Sequence, residues 1–281
     1  TDTVPVGIDI DLATLRFAGA PLAGATLAYD AATRTITATL PVYLREDPEV
    51  VIAYEAVVAN SVRPDEVLVN TATVTFDSHP GDPGDVYQRD YGPFTDSQTF
   101  TVGLPSLSKR VVSTDIPSTQ FAQLQPLVQD VAIGETVTYL VTLRLPEVTT
   151  NLVVTDQLPR ADGAPPTAGD MEWIASRIVS IGGNIILAPG APGVGNQGVV
   201  SDPNDDGILD RIVWNFGLVT NLADNIENAD DLIVFEVVAR VPNLPTNQPG
   251  DVLINLAQAQ YSRADGSTRL VTQTEAIEIV A

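Results

Sequence analysis

The sequence predicts an all-β protein built from antiparallel β-sandwiches, and three observations carry the prediction. Runs rich in Val, Thr and Ile alternate apolar with polar residues, 21 Pro and 20 Gly separate the runs, and helical periodicity is hard to find. The segment 136–145 is the clearest strand, because its odd-numbered residues are all apolar and its even-numbered residues are mostly Thr and Arg. Only the stretch 167–176 is compatible with a short helix.

Composition narrows the function classes. The chain has 36 Asp and Glu against 14 Lys and Arg, and the formal charge of −22 disfavours nucleic acid and anionic lipid as partners. Cys is absent, which excludes disulfides and thiolate chemistry. No apolar run approaches the ~18 residues of a membrane span, so no membrane insertion is expected in this segment. Divalent cations are the natural partners of such a chain.

Self-comparison reveals a tandem repeat. Residues 51–58 match 232–239, residues 66–74 match 251–259, and Thr1-Asp-Thr-Val-Pro resembles Thr155-Asp-Gln-Leu-Pro, in the same order. In the second copy roughly fifty residues of strand precede the Thr-Asp segment, whereas the first copy starts there.

The repeat predicts tandem immunoglobulin-like sandwiches. Residues 1–104 would be a partial domain that lacks its N-terminal strands, and residues 105–281 a complete domain. A sandwich without those strands exposes core and sheet edges. We therefore expect that the chain is cut from a longer one or that a neighbouring chain supplies the strands.

Three polar residues occupy positions where the alternation places core residues. Lys109, the only Lys, shares its face with apolar neighbours on both sides, and so do Asp156 and Asn255. Buried charges and amides are costly unless paired, so these groups are expected to meet in one core, from a first, a middle and a last strand. In the first repeat Asp2 and Asn70 match Asp156 and Asn255, but no Lys is present.

The segments Leu107-Ser-Lys, Gly134-Glu-Thr-Val-Thr-Tyr, Val154-Thr-Asp-Gln-Leu-Pro and Ile254-Asn-Leu-Ala resemble the repeat domains of Gram-positive pilin backbones and related collagen-adhesin-like bacterial surface proteins. That family forms intramolecular isopeptide bonds, in which a Lys attacks an Asn side-chain amide with the help of a buried acid. The resemblance implies Lys109 as nucleophile, Asn255 as electrophile and Asp156 as the proton-shuttling acid. The motifs are degenerate, and many relatives lack the bond.

Other interpretations of these residues stay open. Lys109 could be a salt-bridged or snorkelling Lys. Glu236, repeated as Glu55, is a rival for the acid, although an exposed strand position is the simpler interpretation. For the first repeat, the reactive Lys is expected upstream of Thr1. An apolar pocket favours the neutral amine and neutral acid that the self-reaction requires.

A second motif predicts calcium binding within the Gly- and Pro-rich insertion 188–210. Oxygen ligands recur at alternate positions around a central Gly, which is the spacing of a calcium loop. The predicted ligands are the side chains of Asp202, Asn204, Asp206 and Asp210 and the carbonyl of Ile208. The twelfth position is Val213, so the bidentate Glu of an EF-hand is absent, and an acidic surface turn is the alternative.

The remaining chemistry is sparse. His79 could ligate a metal with neighbouring Asp residues, but its Pro- and Gly-rich surroundings favour a solvated hairpin loop. No nucleophile paired with His, no phosphate-binding loop and no zinc cluster is found, and no catalytic turnover is expected.

The predicted function is a structural or adhesive module of an extracellular bacterial surface protein: a stalk, adhesin, sheath or S-layer. Its expected partners are neighbouring repeats, identical subunits and an unidentified surface ligand. The alternatives are a polymerising filament subunit that uses strand complementation, and an accessory domain of a large secreted enzyme.

Overall fold

A computed structural model describes residues 1–78, 88–116, 119, 128–161 and 169–281. The described residues form strands joined by turns and loops, with one 3₁₀ turn at Ala229–Asp231, so the all-β prediction is confirmed. None of the described segments is a helix long and apolar enough to cross a membrane. The chain divides into two compact units, which we call unit 1 (Thr1–Val62 and Glu66–Val102) and unit 2 (Arg63–Asp65 and Gly103–Ala281).

Unit 2 contains two sheets. Its strands are β8 (Ser106–Thr114), β9 (Gln129–Ala132), β10 (Thr136–Arg144), β11 (Thr149–Gln157), β12 (Glu172–Ile181), β13 (Ile185–Leu187), β14 (Val199–Ser201), β15 (Arg211–Asn221), β16 (Leu232–Arg240), β17 (Val252–Ser262) and β18 (Thr268–Val280). One sheet has the order β12-β16-β10-β8, and the other has the order β13-β15-β11-β17-β18-β9 with β14 beside β15. All pairings are antiparallel except β18 with β9.

The core of unit 2 lies on the inward faces of these strands. On β10 every second residue is buried, as the alternation predicts, and Tyr139 is fully enclosed. Trp214 and Phe235 pack with ring centroids 4.8 Å apart. Large apolar and aromatic side chains from both sheets thus exclude water from the interior, which is the main stabilising contribution to a sandwich.

The helix predicted at 167–176 is wrong over the described residues. From Glu172 onward the chain is strand β12, which pairs with β16 from Glu172↔Arg240 to Ile181↔Ile233. Residues 167 and 168 lie outside the described residues. The β-branched and aromatic residues of this segment fit a pleated surface, and the edge of β16 supplies hydrogen-bond partners that a short helix cannot match.

Unit 1 contains seven strands among its described residues. They are β1 (Asp2–Thr3), β2 (Ile8–Phe17), β3 (Thr26–Asp30), β4 (Thr35–Thr39), β5 (Ile52–Val58), β6 (Val67–Asp77) and β7 (Asp90–Thr101). Five of them form a sheet in the order β3-β4-β1-β6-β7, and β2 pairs with β5 in a separate two-stranded sheet.

The topology of unit 1 repeats that of unit 2 with strands missing. Strand β1 lies between β4 and β6 as β11 lies between β15 and β17, and β7 follows β6 as β18 follows β17. Strand β5 pairs with β2 as β16 pairs with β12. Within the described part of unit 1, however, no strand corresponds to β8, β9 or β10. The division into a partial and a complete sandwich stays a prediction.

Candidate functional site

The interior of unit 2 contains a buried ion pair between its two sheets. Lys109 lies on β8 opposite Val141 of β10, and its side chain has no exposed surface. Its Nζ donates a hydrogen bond to Oδ2 of Asp156, which lies on β11 of the other sheet. Burial of two charges in an apolar core is costly, which disfavours the charged form of this pair.

Asn255 lies on the inward face of β17, beside β11. Asp156 is opposite Ala257 in the β11–β17 register, and Asn255 is the next residue on that face of β17. Asn255 is 0% exposed, and neither Nδ2 nor Oδ1 has a hydrogen-bond partner among the described residues. The same holds for Oδ1 of Asp156. An amide buried without partners is rare in native structures, and it marks this position as one that needs an explanation.

The electrostatics of the site favour an uncharged amine. Burial lowers the pKa of Lys109, and the negative charges of Asp156 and Glu275 oppose this shift without cancelling it. The ring of Tyr139 lies below the amine, with Nζ 5.1 Å from the ring centroid. Burial raises the pKa of Tyr139 well above its usual value, and the charges of Asp156 and Glu275 add to that shift. Tyr139 therefore stays neutral.

Two residues of this site were not singled out from the sequence. Glu275 lies on β18 opposite Asn255, and its Oε1 accepts a hydrogen bond from the backbone N–H of Val111 at 3.4 Å. The sequence contains a signal for this position, because Glu275 falls on the same face of the strand as the apolar Ile277 and Ile279. Tyr139 was placed in the core, but its position under the amine depends on which strands become neighbours.

The other predictions about where residues lie on the strands have different outcomes. Asn255 does not lie on the last strand, since β18 follows β17 and pairs along its whole length. Glu236 points outward and forms an ion pair with Arg177 at 2.9 Å, and Glu55 is exposed. Neither glutamate belongs to the Lys109 site. Trp214 belongs to the core of unit 2, at 1% exposure.

Unit 1 holds the matching acid and amide in a different arrangement. The hydroxyl of Tyr54 donates to Oδ2 of Asp2 at 2.8 Å, and Nδ2 of Asn70 donates to the Tyr54 hydroxyl at 3.4 Å. Burial raises the pKa of Tyr54 to about 12, and the hydrogen bond and charge of Asp2 contribute. Oδ1 of Asp2 and Oδ1 of Asn70 are buried, and no described residue donates a hydrogen bond to either atom.

The acidic loop predicted to bind calcium is held by hydrogen bonds among its own residues. The carboxylate of Asp202 accepts the backbone N–H groups of Asp205 and Gly207, each at 2.8 Å. Asp206 accepts the backbone N–H of Ile208 and the side-chain amide of Asn204, each at 2.7 Å. These bonds explain the turn without a metal ion.

The carboxylate of Asp210, the fourth predicted side-chain ligand of that loop, faces a cation. Asp210 is 1% exposed, and its Oδ2 lies 3.6 Å from Nη1 of Arg160. Burial raises the pKa of Asp210, and a hydrogen bond from Gln157 and the charge of Arg160 oppose the shift. Among the described residues, no group of three or more His, Cys, Asp or Glu side chains is placed to hold a metal ion. Calcium binding stays a prediction, and His79 lies outside the described residues.

No protein-family model matches the sequence, and no curated protein matches it either. Solved structures with a similar fold include the major pilin subunit BcpA of Bacillus cereus, with a TM-score of 0.38 and 9% identity over 82% of this chain and 57% of the pilin. ACE19, the collagen-binding subdomain of the Enterococcus faecalis surface protein ACE, has a TM-score of 0.29 and 11% identity over 56% of this chain and 99% of ACE19.

The pilus protein RrgB of Streptococcus pneumoniae has a TM-score of 0.30 and 9% identity, and this chain spans 53% of it. By their names, these structures are two pilins and a collagen-binding subdomain of a surface protein. At such TM-scores the likeness bears on neither the function nor the partners of this chain.

Proposed function

We propose that this chain is a structural and adhesive module of an extracellular bacterial surface protein, and that an isopeptide bond between Lys109 and Asn255 staples unit 2. One observation carries the proposal. A buried Lys, paired with a buried Asp, shares an apolar interior with an Asn whose amide has no hydrogen-bond partner in the part of the chain that the structure describes. Leaving an amide unsatisfied costs stability, and a covalent role for it accounts for its presence.

The chemistry follows from the protonation states. In the reactive form the Lys109 amine is neutral, which its lowered pKa favours. The Nζ lone pair attacks Cγ of Asn255 and forms a C–N bond. Asp156 takes a proton from the attacking amine and delivers it to Nδ2 of Asn255, the Cγ–Nδ2 bond breaks, and ammonia leaves. The reaction occurs once per molecule and is not turnover.

The bond would link the two sheets of the sandwich. Lys109 belongs to the sheet of β8, and Asn255 belongs to the sheet of β17. A covalent bridge between sheets prevents them from sliding apart when the chain is pulled, and it restricts the unfolded chain. This property suits a module that must transmit force at a cell surface.

Intact mass tests the proposal. The purified chain should be about 17 Da lighter than its sequence mass, and Lys109→Met and Asn255→Ala should each restore the full mass. Asn70→Ala is the matched control, because the described part of unit 1 offers no Lys, and it should retain the loss. An unmodified mass for the parent chain would sink the proposal.

A further inference from the structure

A cleft of about 360 Å³ opens at one end of unit 2. It lies where β8 begins and β10 ends, since Ser106 is opposite Arg144 in the register of those two strands. The connection between β15 and β16 also lines it, and all of its lining residues belong to unit 2. This volume is at the lower end of the range of ligand sites in proteins, so it suits one or two side chains of a partner.

Apolar side chains line part of the cleft. Leu104 and Ile226 are 54% and 58% exposed, and Pro146 and the buried Leu145 lie beside them. A single exposed leucine or isoleucine is common on protein surfaces, but here two of them line the same concave space. The aliphatic part of a bound side chain would be sheltered from water between them.

Acidic side chains outnumber basic ones around the cleft. Its described lining contains the carboxylates of Glu147, Glu227 and Asp231 and a single cation, Arg144. Nε of Arg144 lies 3.3 Å from Oε1 of Glu227, and its Nη1 lies 4.0 Å from Oδ2 of Asp231. One guanidinium therefore accompanies three carboxylates, and the cleft has an excess of negative charge.

Hydrogen bonds hold two of these carboxylates in place. Oε1 of Glu147 accepts the backbone N–H groups of Asp224 and Asn225, at 2.8 Å and 2.6 Å. Asp231 is 3% exposed, and its Oδ1 accepts a hydrogen bond from Nδ2 of Asn221 at 3.0 Å. Because these charged groups are already oriented, less conformational entropy is lost when a ligand binds.

We propose that this cleft is a docking site for a segment of another protein that carries a lysine or arginine next to an apolar residue. The excess of negative charge selects a cation, and the side chain of Glu227, which is 77% exposed, can turn from Arg144 to the incoming group. The apolar residue packs against Leu104 and Ile226. The formal charge of −22 on the whole chain attracts such a segment from a distance.

This docking site deepens the adhesive part of the proposed function, on which it rests, because it gives the chemistry of a partner. It is independent of the bond between Lys109 and Asn255. A loss of 17 Da tests that bond, whereas peptide binding tests the cleft, so the failure of one proposal is distinguished from the failure of the other.

Short capped peptides test the docking site on the full chain. The probe is acetyl-Leu-Arg-Leu-amide, and the controls replace its arginine with norleucine or with glutamate. The arginine peptide should cause saturable shifts of the Leu104 and Ile226 methyl signals in NMR spectra. The norleucine peptide should bind about fivefold more weakly, as expected for the loss of one partly exposed ion pair. Unshifted methyl signals overturn the site, and equal or tighter binding of either control overturns the basic partner.

Matched variants separate the cleft from the overall charge. Glu227→Gln should weaken binding of the arginine peptide about fivefold, and its exposed side chain makes a folding defect unexpected. Asp205→Asn removes the same charge from the acidic loop, which does not line the cleft and contacts the far end of β11. This variant should bind the peptide as the parent chain does. Equal losses in the two variants would assign binding to the net charge and overturn the cleft.

The oligomeric state of the parent chain distinguishes a second copy from a different protein. We expect a monomer by sedimentation, with methyl signals of Leu104 and Ile226 that do not change with protein concentration. Self-association that shifts these signals as the concentration rises would assign the cleft to a second copy of the chain and overturn the separate partner.

Discussion

Units 1 and 2 present the same sheet to two different environments. On β17 the inward residues Ala257, Ala259 and Tyr261 are buried, and on β6 their counterparts Ala72, Val74 and Phe76 are exposed. The difference lies in three strands, β8, β9 and β10, which unit 2 has and the described part of unit 1 does not. The sequence of a strand therefore sets which side chains share a face, whereas the burial of those side chains depends on the neighbouring sheet.

The same difference separates the two polar sites. With β8 present, Lys109 pairs with Asp156 and the neighbouring amide of Asn255 is enclosed. In unit 1, where no described strand corresponds to β8, the hydroxyl of Tyr54 donates to the carboxylate of Asp2, and the side-chain amide of Asn70 donates to that hydroxyl. One unit holds the three groups required for a crosslink, and the other holds two of them.

The largest expected effect is a difference in stability between the variants of Asn255 and Asn70. Asn255→Ala removes the staple and keeps the Lys109–Asp156 pair, and it should lower the free energy of unfolding of unit 2 by about 5 kcal/mol, because the loop closed by the bond is long. Asn70→Ala should have little effect. Both Trp residues lie in unit 2, so denaturant unfolding followed by Trp fluorescence reports that unit. Equal effects of the two variants would contradict the comparison.

The aromatic counterparts should respond unequally as well. Tyr261→Ala is expected to cost roughly 3–5 kcal/mol, as for large buried aromatics, whereas Phe76→Ala should cost less than about 1 kcal/mol. Circular dichroism melts of the two variants measure this difference. A cost of Phe76→Ala close to that of Tyr261→Ala would contradict this difference in burial.

Calcium tests the loop in which unit 2 differs from unit 1. If the loop binds the ion, saturation at a hundred times the dissociation constant should stabilise unit 2 by about 2.7 kcal/mol and raise its unfolding temperature. Magnesium serves as the ion control and Asp202→Asn as the matched variant, which should lose the response. An unchanged melting temperature with calcium would show that the hydrogen bonds of Asp202 and Asp206, with Arg160, already complete the turn.

The smallest expected effect is in the pH dependence. In Asn255→Ala the Lys109 amine remains, and burial lowers its pKa in the folded state from the usual value of 10.5. The unfolded state then binds more protons, so unit 2 should gain stability as the pH rises toward 10.5. The parent chain should lack this gain, because a Lys109 side chain in an amide no longer titrates.

Unit 1 should show the opposite sign. The pKa of Tyr54 is raised from 10 to about 12, so its contribution is complete below pH 10 and is lost as the pH rises toward 12. Melting temperatures of unit 1 across this range measure the loss, and Tyr54→Phe should abolish it. A parallel loss in the Phe variant would assign it to other groups.

Much of the candidate site could be predicted from the sequence, because strand side chains alternate with a period of two. Lys109, Asp156 and Asn255 were placed inward from parity alone, and all three are buried. The prediction of a helix at 167–176 is wrong because, from Glu172 onward, the segment pairs with β16. Tyr54 and Glu275 were missed as site residues, since their roles depend on neighbours far away in the sequence.

The all-β class, the tandem repeat and the inward direction of the polar residues follow from the sequence, because they depend on local periodicity and self-similarity. The tertiary structure adds which strands are neighbours, that the site bridges two sheets, and that the Tyr54 hydroxyl donates to Asp2 in unit 1. Such contacts join residues far apart along the chain, and their geometry is set by the packing of whole sheets. The same repeated segment is therefore buried in one unit and exposed in the other.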